Sequence, residues 1–143
     1  DTIVNVNQKS VFLCSKYVIP VMKENKYGRI INISSIAARN GGGMGAVVYA
    51  ASKAAVSAFT KGLAKELCDY RILVNGVAPG TITTPFHDRF TNNEARANIK
   101  KTIPLNREGT SEEVADAVLY LASPLSTFLL GEMIEVNGGQ LMD

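Results

Sequence analysis

The sequence predicts an α/β fold in which helices flank an open sheet of parallel strands. Three observations predict it. Two short runs are rich in branched apolar residues, RIINISS (29–35) and RILVNGVAPG (71–80). Helix-length segments lie between and around them, and a third strand-like run, MIEVNGG (133–139), follows the last of these. Strands that alternate with helices in this order join as parallel neighbours through right-handed crossovers.

The first element reads as one long helix from about Ile3 to Lys26. Val11, Ser15, Val18 and Met22 fall at helical spacing with Phe12 and Ile19 beside them, and Pro20 must bend or locally break the helix. RIINISS then carries three isoleucines between Gly28 and polar residues, as expected of a strand buried on both faces of a parallel sheet. A loop follows over 36–48. Tyr49 to Leu67 is a helix in which Val56, Phe59, Leu63 and Leu67 form a core stripe. On the same helix Ala51, Ala55, Ala58 and Gly62 form a second face, small enough for another helix to approach closely. Pro79-Gly80 ends the second strand. From Thr81 to Gly109 the chain is polar and without strong periodicity. Thr110 and Glu113 make a capping box that starts a helix, with Val114, Ala117, Val118 and Leu121 facing inward and an end before Pro124. No repeat and no second domain interrupts the 143 residues.

Composition narrows the function classes. Hydrophobic residues at 46% and charged residues at 20% are enough for a real core. A net charge of +2 with dispersed Lys and Arg argues against nucleic acid or a membrane surface as partner and leaves small molecules. No apolar run is long enough to span a bilayer, and no signal-peptide pattern is present. Cys14 and Cys68 both fall in helical segments, so no disulfide framework or metal cluster is implied; they read as buried thiols in a reducing cytoplasm. GGGMGA (41–46) formally satisfies G-x-G-x-x-A. A dinucleotide fingerprint needs its glycines directly after a strand and at the opening of a helix, so this stretch reads as an active-site loop instead. Lone His87, beside Pro85 and Phe86, reads as a lid or surface residue.

The chemistry converges at the carboxyl ends of the strands, where open parallel sheets bind ligands. Ser34 and Ser35 end the first strand, Tyr49 and Lys53 open the next helix, and Pro79-Gly80 with Thr81 to Thr84 end the second strand. Tyr49 and Lys53, four apart, share one face of a helix.

These motifs resemble the short-chain dehydrogenases/reductases: Val6-Asn7, the strand GRIINISS, Y-x-x-x-K at Tyr49 and Lys53, VNGVAPG followed by Ile82 and Thr84, and the late VNGG. Y-x-x-x-K alone is a weak signal; in this order with the others it is a strong one. The resemblance implies a catalytic tetrad of Asn7, Ser35, Tyr49 and Lys53. It also implies a nicotinamide cofactor, NADP or NAD, bound by Tyr49, Lys53, Pro79, Gly80, Ile82 and Thr84, and no metal. The loop between Ser35 and Tyr49 is one residue longer than the family's common form, which leaves Ser34 as a backup hydrogen-bonding residue. The segment 85–109 corresponds to the family's substrate-binding segment, where Phe86, Phe90 and Ile99 would close over an apolar substrate.

Those roles suit the residue types. An unperturbed phenol titrates near pH 10, and an ammonium held close favours the phenolate. A serine hydroxyl at a strand end can hold a carbonyl oxygen against the tyrosine, and Asn7 would hold a water linking Lys53 to solvent.

The family's T-G-x-x-x-G-x-G and N-N-A-G motifs are absent from these 143 residues. The resemblance therefore implies the C-terminal half of a Rossmann-type doubly wound sheet, a three-layer αβα arrangement whose nucleotide-binding half lies outside this sequence. The expectation is a partial domain that binds no cofactor by itself and comes from a homotetrameric reductase. Its substrate would be a ketone or secondary alcohol, with 3-oxoacyl carrier-proteins the first class implied and sugars or polyols the second. The alternative of another kind is a short non-catalytic module that keeps the family's association helices.

Overall fold

A computed structural model of the chain describes residues 1–85 and 93–142. Phe86, His87 and Phe90 lie outside the described residues.

The chain begins with α1 (Thr2–Val4), a π-helical segment (Asn5–Lys9) and α2 (Ser10–Asn25) running on from one another. The expected long helix is thus present, but its irregularity lies in the π segment. The helix passes through Pro20, which sits on the exposed side. Ser10 donates its hydroxyl hydrogen bond to Val6 O, one turn back, a local bond that competes with regular helix geometry. Of the expected inward stripe, Ser15 is buried and Val11 and Met22 half-buried, whereas Val18 is exposed. The helix ends with Lys26 in the left-handed conformation and Tyr27 N donating to Met22 O (3.2 Å), which satisfies a terminal carbonyl.

Three strands follow: β1 (Gly28–Ile33), β2 (Ile72–Pro79) and β3 (Met133–Val136), parallel and in the order β1-β2-β3. Gly28 pairs with Ile72 and Ile33 with Val77, so the carboxyl ends of β1 and β2 lie side by side. β2 is the buried centre, with Ile72, Val74 and Val77 wholly inaccessible. β1 departs from expectation: its buried residues are Gly28 and Asn32, Ile30 and Ile31 are half-buried, and Ile33 is 42% exposed. Among the described residues β1 is paired on one side alone, which explains the exposure of its branched side chains.

Between β1 and β2 the chain forms a short α3 (Ala37–Asn40), a glycine turn, and α4 (Val47–Leu67). Gly41, Gly42 and Gly45 all have positive φ, which the small residue permits. α4 buries Val56, Leu63 and Leu67 as expected, with Phe59 half-buried. Leu63, Ala64 and Leu67 pack on Ile72 and Val74, with Ile19, Met22, Ile30 and Phe59 around them. Its small-residue face is open, since Ala51, Ala58 and Gly62 are exposed.

After β2, α5 (Asn93–Lys101) occupies part of the stretch expected to lack periodicity. α6 (Ser111–Ala122) begins at the expected capping box: Glu113 N donates to Thr110 Oγ1 (3.3 Å) and Thr110 N to Glu113 Oε2 (2.8 Å). It contacts all three strands and buries Leu121 completely. Both cysteines are exposed, contrary to expectation. Cys14 lies on an uncovered side of α2, and Cys68 lies in the 3-10 turn after α4, where its thiol donates to Lys65 O (3.2 Å).

Candidate active site

The site is built where β1 ends, α4 begins and the loop after β2 departs. Ser34 N donates to Val77 O (2.8 Å) and Ile36 N to Pro79 O (3.1 Å), so the turn after β1 is tied to the last residues of β2. Lys53 Nζ donates to Ile33 O (2.9 Å) across the gap between α4 and β1. Its ammonium also sits 5.9 Å from the centre of the Tyr49 ring, within reach of the aromatic quadrupole. Burial pulls the Lys53 ammonium below its ordinary 10.5, because the charged form loses hydration.

The two serines have different duties. Ser34 is 2% exposed; its hydroxyl donates to Lys53 O (2.9 Å) and shares a 2.8 Å hydrogen bond with Ser57 Oγ. It is consumed in holding α4 against β1. Ser35 is half-buried, and its oxygen accepts from Ala37 N (3.1 Å), a short turn that fixes the oxygen while leaving the hydroxyl proton to donate.

Asn7 reaches the same helix from the π segment, Nδ2 donating to Ser52 Oγ (3.1 Å); Ser52 in turn donates to Tyr49 O (2.7 Å). A π bulge turns its side chains differently from a regular helix and often marks a functional position. Ser52, at 2% exposure, is a site residue that the sequence reading missed. The signal was its place in the chain between Tyr49 and Lys53, on the side of α4 between that pair and the small-residue face.

The loop after β2 is held rigidly. Gly80 N donates to Val136 O (2.9 Å), and Gln140 Oε1 accepts from both Thr81 N and Thr81 Oγ1 (3.1 Å each). Ile82 forms an isolated parallel bridge with Gly109: Gly109 N donates to Thr81 O (3.0 Å) and Thr83 N to Gly109 O (2.9 Å). In such a bridge the N–H and C=O of Ile82 point away from Gly109. Thr83 Oγ1 donates to Glu108 Oε2 (2.8 Å), and Arg96 grips the same carboxylate with both Nε (2.6 Å) and Nη2 (2.7 Å). The structure thus places Tyr49 and Lys53 on α4, Ser35 just past the end of β1, and Asn7 on the π segment, joined to α4 through Ser52, with Pro79 tied to the turn that holds Ser35. Ile82 and Thr84 lie further along the loop, with no hydrogen bond to the Tyr49–Lys53 pair. No cluster of metal-ligating side chains occurs among the described residues, and no described helix is long and apolar enough to cross a membrane.

A family model described as enoyl-(acyl carrier protein) reductase matches residues 1–140. The chain is 42% identical over 142 residues to the 3-oxoacyl-[acyl-carrier-protein] reductase of Rickettsia felis, covering 99% of this chain and 58% of that protein. With the enzyme of the same name from Thermotoga maritima it shares 43% identity over 139 residues, covering 97% of this chain and 56% of that protein. A crystal structure of a 3-oxoacyl-[acyl-carrier protein] reductase from Brucella melitensis superposes with a TM-score of 0.91 at 39% identity, over 96% of this chain and 51% of that one. A second, described with bound NAD, gives 0.87 at 38% identity, over 98% of this chain and 51% of that one. The chain spans a little over half the length of the curated relatives it matches.

Proposed function

The chain belongs to the short-chain dehydrogenase/reductase family, and from that premise we propose that it is the catalytic half of a cytoplasmic NAD(P)-dependent oxidoreductase acting on a ketone or secondary alcohol. The substrate class we favour is the 3-oxoacyl carrier-protein thioester, because two relatives above 40% identity carry that activity in their names. The observation that carries the chemistry is the Lys53 ammonium hydrogen-bonded to Ile33 O at the end of β1 and 5.9 Å from the centre of the Tyr49 ring.

In this reading Ser35 donates to the carbonyl oxygen and holds it against Tyr49. Tyr49 gives its phenolic proton to that oxygen, and Lys53 stabilises the phenolate left behind. Asn7 supports the first turns of α4 through Ser52 and orders the water that returns a proton to Lys53. When bound, the nicotinamide supplies the hydride. The residues present fit that ring. The outward N–H and C=O of Ile82 offer a donor and an acceptor side by side for a carboxamide, and the tethers on Thr81 and Thr83 keep them in place. Lys53 and Tyr49 would meet the adjoining ribose, with Pro79, Gly80 and Thr84 along the same wall.

A homotetramer is the assembly we expect. The open face of Ala51, Ala58 and Gly62 adjoins a groove of about 330 Å³ lined by Phe12, Ala55, Val56 and Phe59, a shape suited to a second pair of helices.

In the complete reductase, Tyr49→Phe should abolish turnover while cofactor binding persists; retained turnover would overturn the acid–base assignment. Titrating NADH and NADPH into the 143-residue chain alone should show no micromolar binding, because the pyrophosphate site of the fold lies in the other half. Micromolar binding would overturn the partial-domain reading.

A further inference from the structure

β1 and α4 are joined by a ladder of buried polar side chains as well as by apolar contact. Asn32 Nδ2 donates to Thr60 Oγ1 (2.9 Å), and Thr60 Oγ1 donates to Val56 O (2.8 Å). Two residues further along the strand, on the same face, Ser34 Oγ meets Lys53 O (2.9 Å) and Ser57 Oγ (2.8 Å), while Ser57 Oγ also reaches Lys53 O (3.3 Å). Asn32, Ser34 and Thr60 are at most 7% exposed. As the strand number rises from 32 to 34, the helix number falls from 60 to 57 and 53. The helix therefore descends while the strand ascends, and the next step beyond the ladder brings the Ser35 end of the strand to the Tyr49 end of the helix.

An apolar helix–sheet contact is non-directional and tolerates small slides of one element over the other. Hydrogen bonds between buried groups do not, since a shift of an ångström leaves donors and acceptors unsatisfied. We propose that Asn32, Ser34, Ser57 and Thr60 are positioning residues that fix the register of α4 on β1, and so the placement of Lys53 against Ile33 O and of Tyr49 against Ser35. None of them touches substrate in the reading above. This inference rests on the catalytic roles of Tyr49 and Lys53, but its test needs no turnover.

The test follows the titration of Lys53 by NMR of the complete reductase labelled at lysine ¹³Cε, the signal identified by its loss in Lys53→Arg, alongside thermal unfolding. Ser34→Ala and Thr60→Val should release Lys53 from its buried place and move its titration up toward the ordinary 10.5. Thr60→Ser, which keeps the hydroxyl, should leave it where it is in the parent. Thr110→Ala, in a remote helix cap, should lower the melting temperature and leave the Lys53 titration unmoved. If Thr60→Val does not fold, the half-buried Ser57→Ala carries the same expectation. Loss of stability in the ladder variants with Lys53 titrating as in the parent overturns the inference and leaves the catalytic reading intact. Turnover by Tyr49→Phe in the complete enzyme would do the reverse.

Discussion

Gly80 stands where the chain leaving β2 passes close to the segment after β3, and replacing it by alanine is the sharpest single test of how the site is held. A methyl group there would lie 2.8 Å from Asn137 Cα, 2.8 Å from Asn137 Cβ and 3.0 Å from Gln140 Oε1. Relaxed carbon–carbon contacts need about 3.5–4.0 Å, so the two segments must part by about 0.7–1.2 Å. The obstruction includes backbone and cannot swing aside. The parting stretches the bonds from Gly80 N to Val136 O (2.9 Å) and from Thr81 N to Gln140 Oε1 (3.1 Å) past useful length. Overpacking of this kind costs about 1–3 kcal/mol and each of the two lost bonds about 0.5–1.5, giving a total of about 2–6 kcal/mol. For a chain of this size that is a fall in melting temperature of roughly 8–24 °C, read by circular dichroism on the purified protein. Gly43→Ala is the matched control, because its added methyl meets nothing within 4 Å and its φ is not positive. That substitution should be neutral or stabilising by about 0.4–1 kcal/mol, through the unfolded chain. Equal melting temperatures for the two variants would refute the close approach at Gly80.

Leu121→Ala, removing a wholly buried side chain beneath the sheet, should cost about 2–5 kcal/mol in denaturant unfolding. Thr110→Ala removes the capping hydroxyl of α6 and should cost about 1 kcal/mol, with no change in m-value. The Arg107 hydrogen bond, then the Thr110 N–H, hold the Glu113 carboxyl down at about 2 against an ordinary 4.5. Because the folded value is the lower, its contribution is present above pH 4.5 and is lost as the pH falls through about 2. The melting-temperature gap between the parent and Glu113→Gln should therefore close across that window; a gap that persists at pH 2 would refute the assignment. Made in the complete reductase, Ala58→Arg, on the open face of α4, should leave the fold intact and reduce the mass in light scattering below that of the proposed homotetramer, whereas an unchanged mass would place the interface elsewhere.

The parts of the molecule legible in the sequence are those written by local rules. β2 announces itself as a short apolar run, interrupted by Asn75 alone among polar residues, because it is buried on both faces, and the Thr110–Glu113 box closes within one turn. Tyr49 and Lys53 needed the helical period alone to be placed together. What escaped depends on partners distant along the chain. α5 has no apolar stripe, and the grip of Arg96 on Glu108 comes from outside it. The π segment has no composition of its own, and its use becomes visible once Asn7 is seen on Ser52. Counting residues could not separate Ser34 from Ser35, whereas strand alternation against α4 does, turning Ser34 toward Lys53 O. The exposure of Cys14, Val18 and Ile33 depends on what covers α2 and the free side of β1, which no local pattern encodes.

The bridge between Ile82 and Gly109, reinforced by Thr83 on Glu108, closes the base of everything that lies between them. Just before that bridge the chain is also fastened to the turn after β3: Leu105 N donates to Gly138 O (3.3 Å), Gln140 Nε2 donates to Thr102 Oγ1 (3.3 Å), and Ile103 is buried. A chain excursion pinned at its base can change length at little closure entropy, about 0.6 kcal/mol for each doubling, so insertions there leave the pairing of β2 with β3 undisturbed.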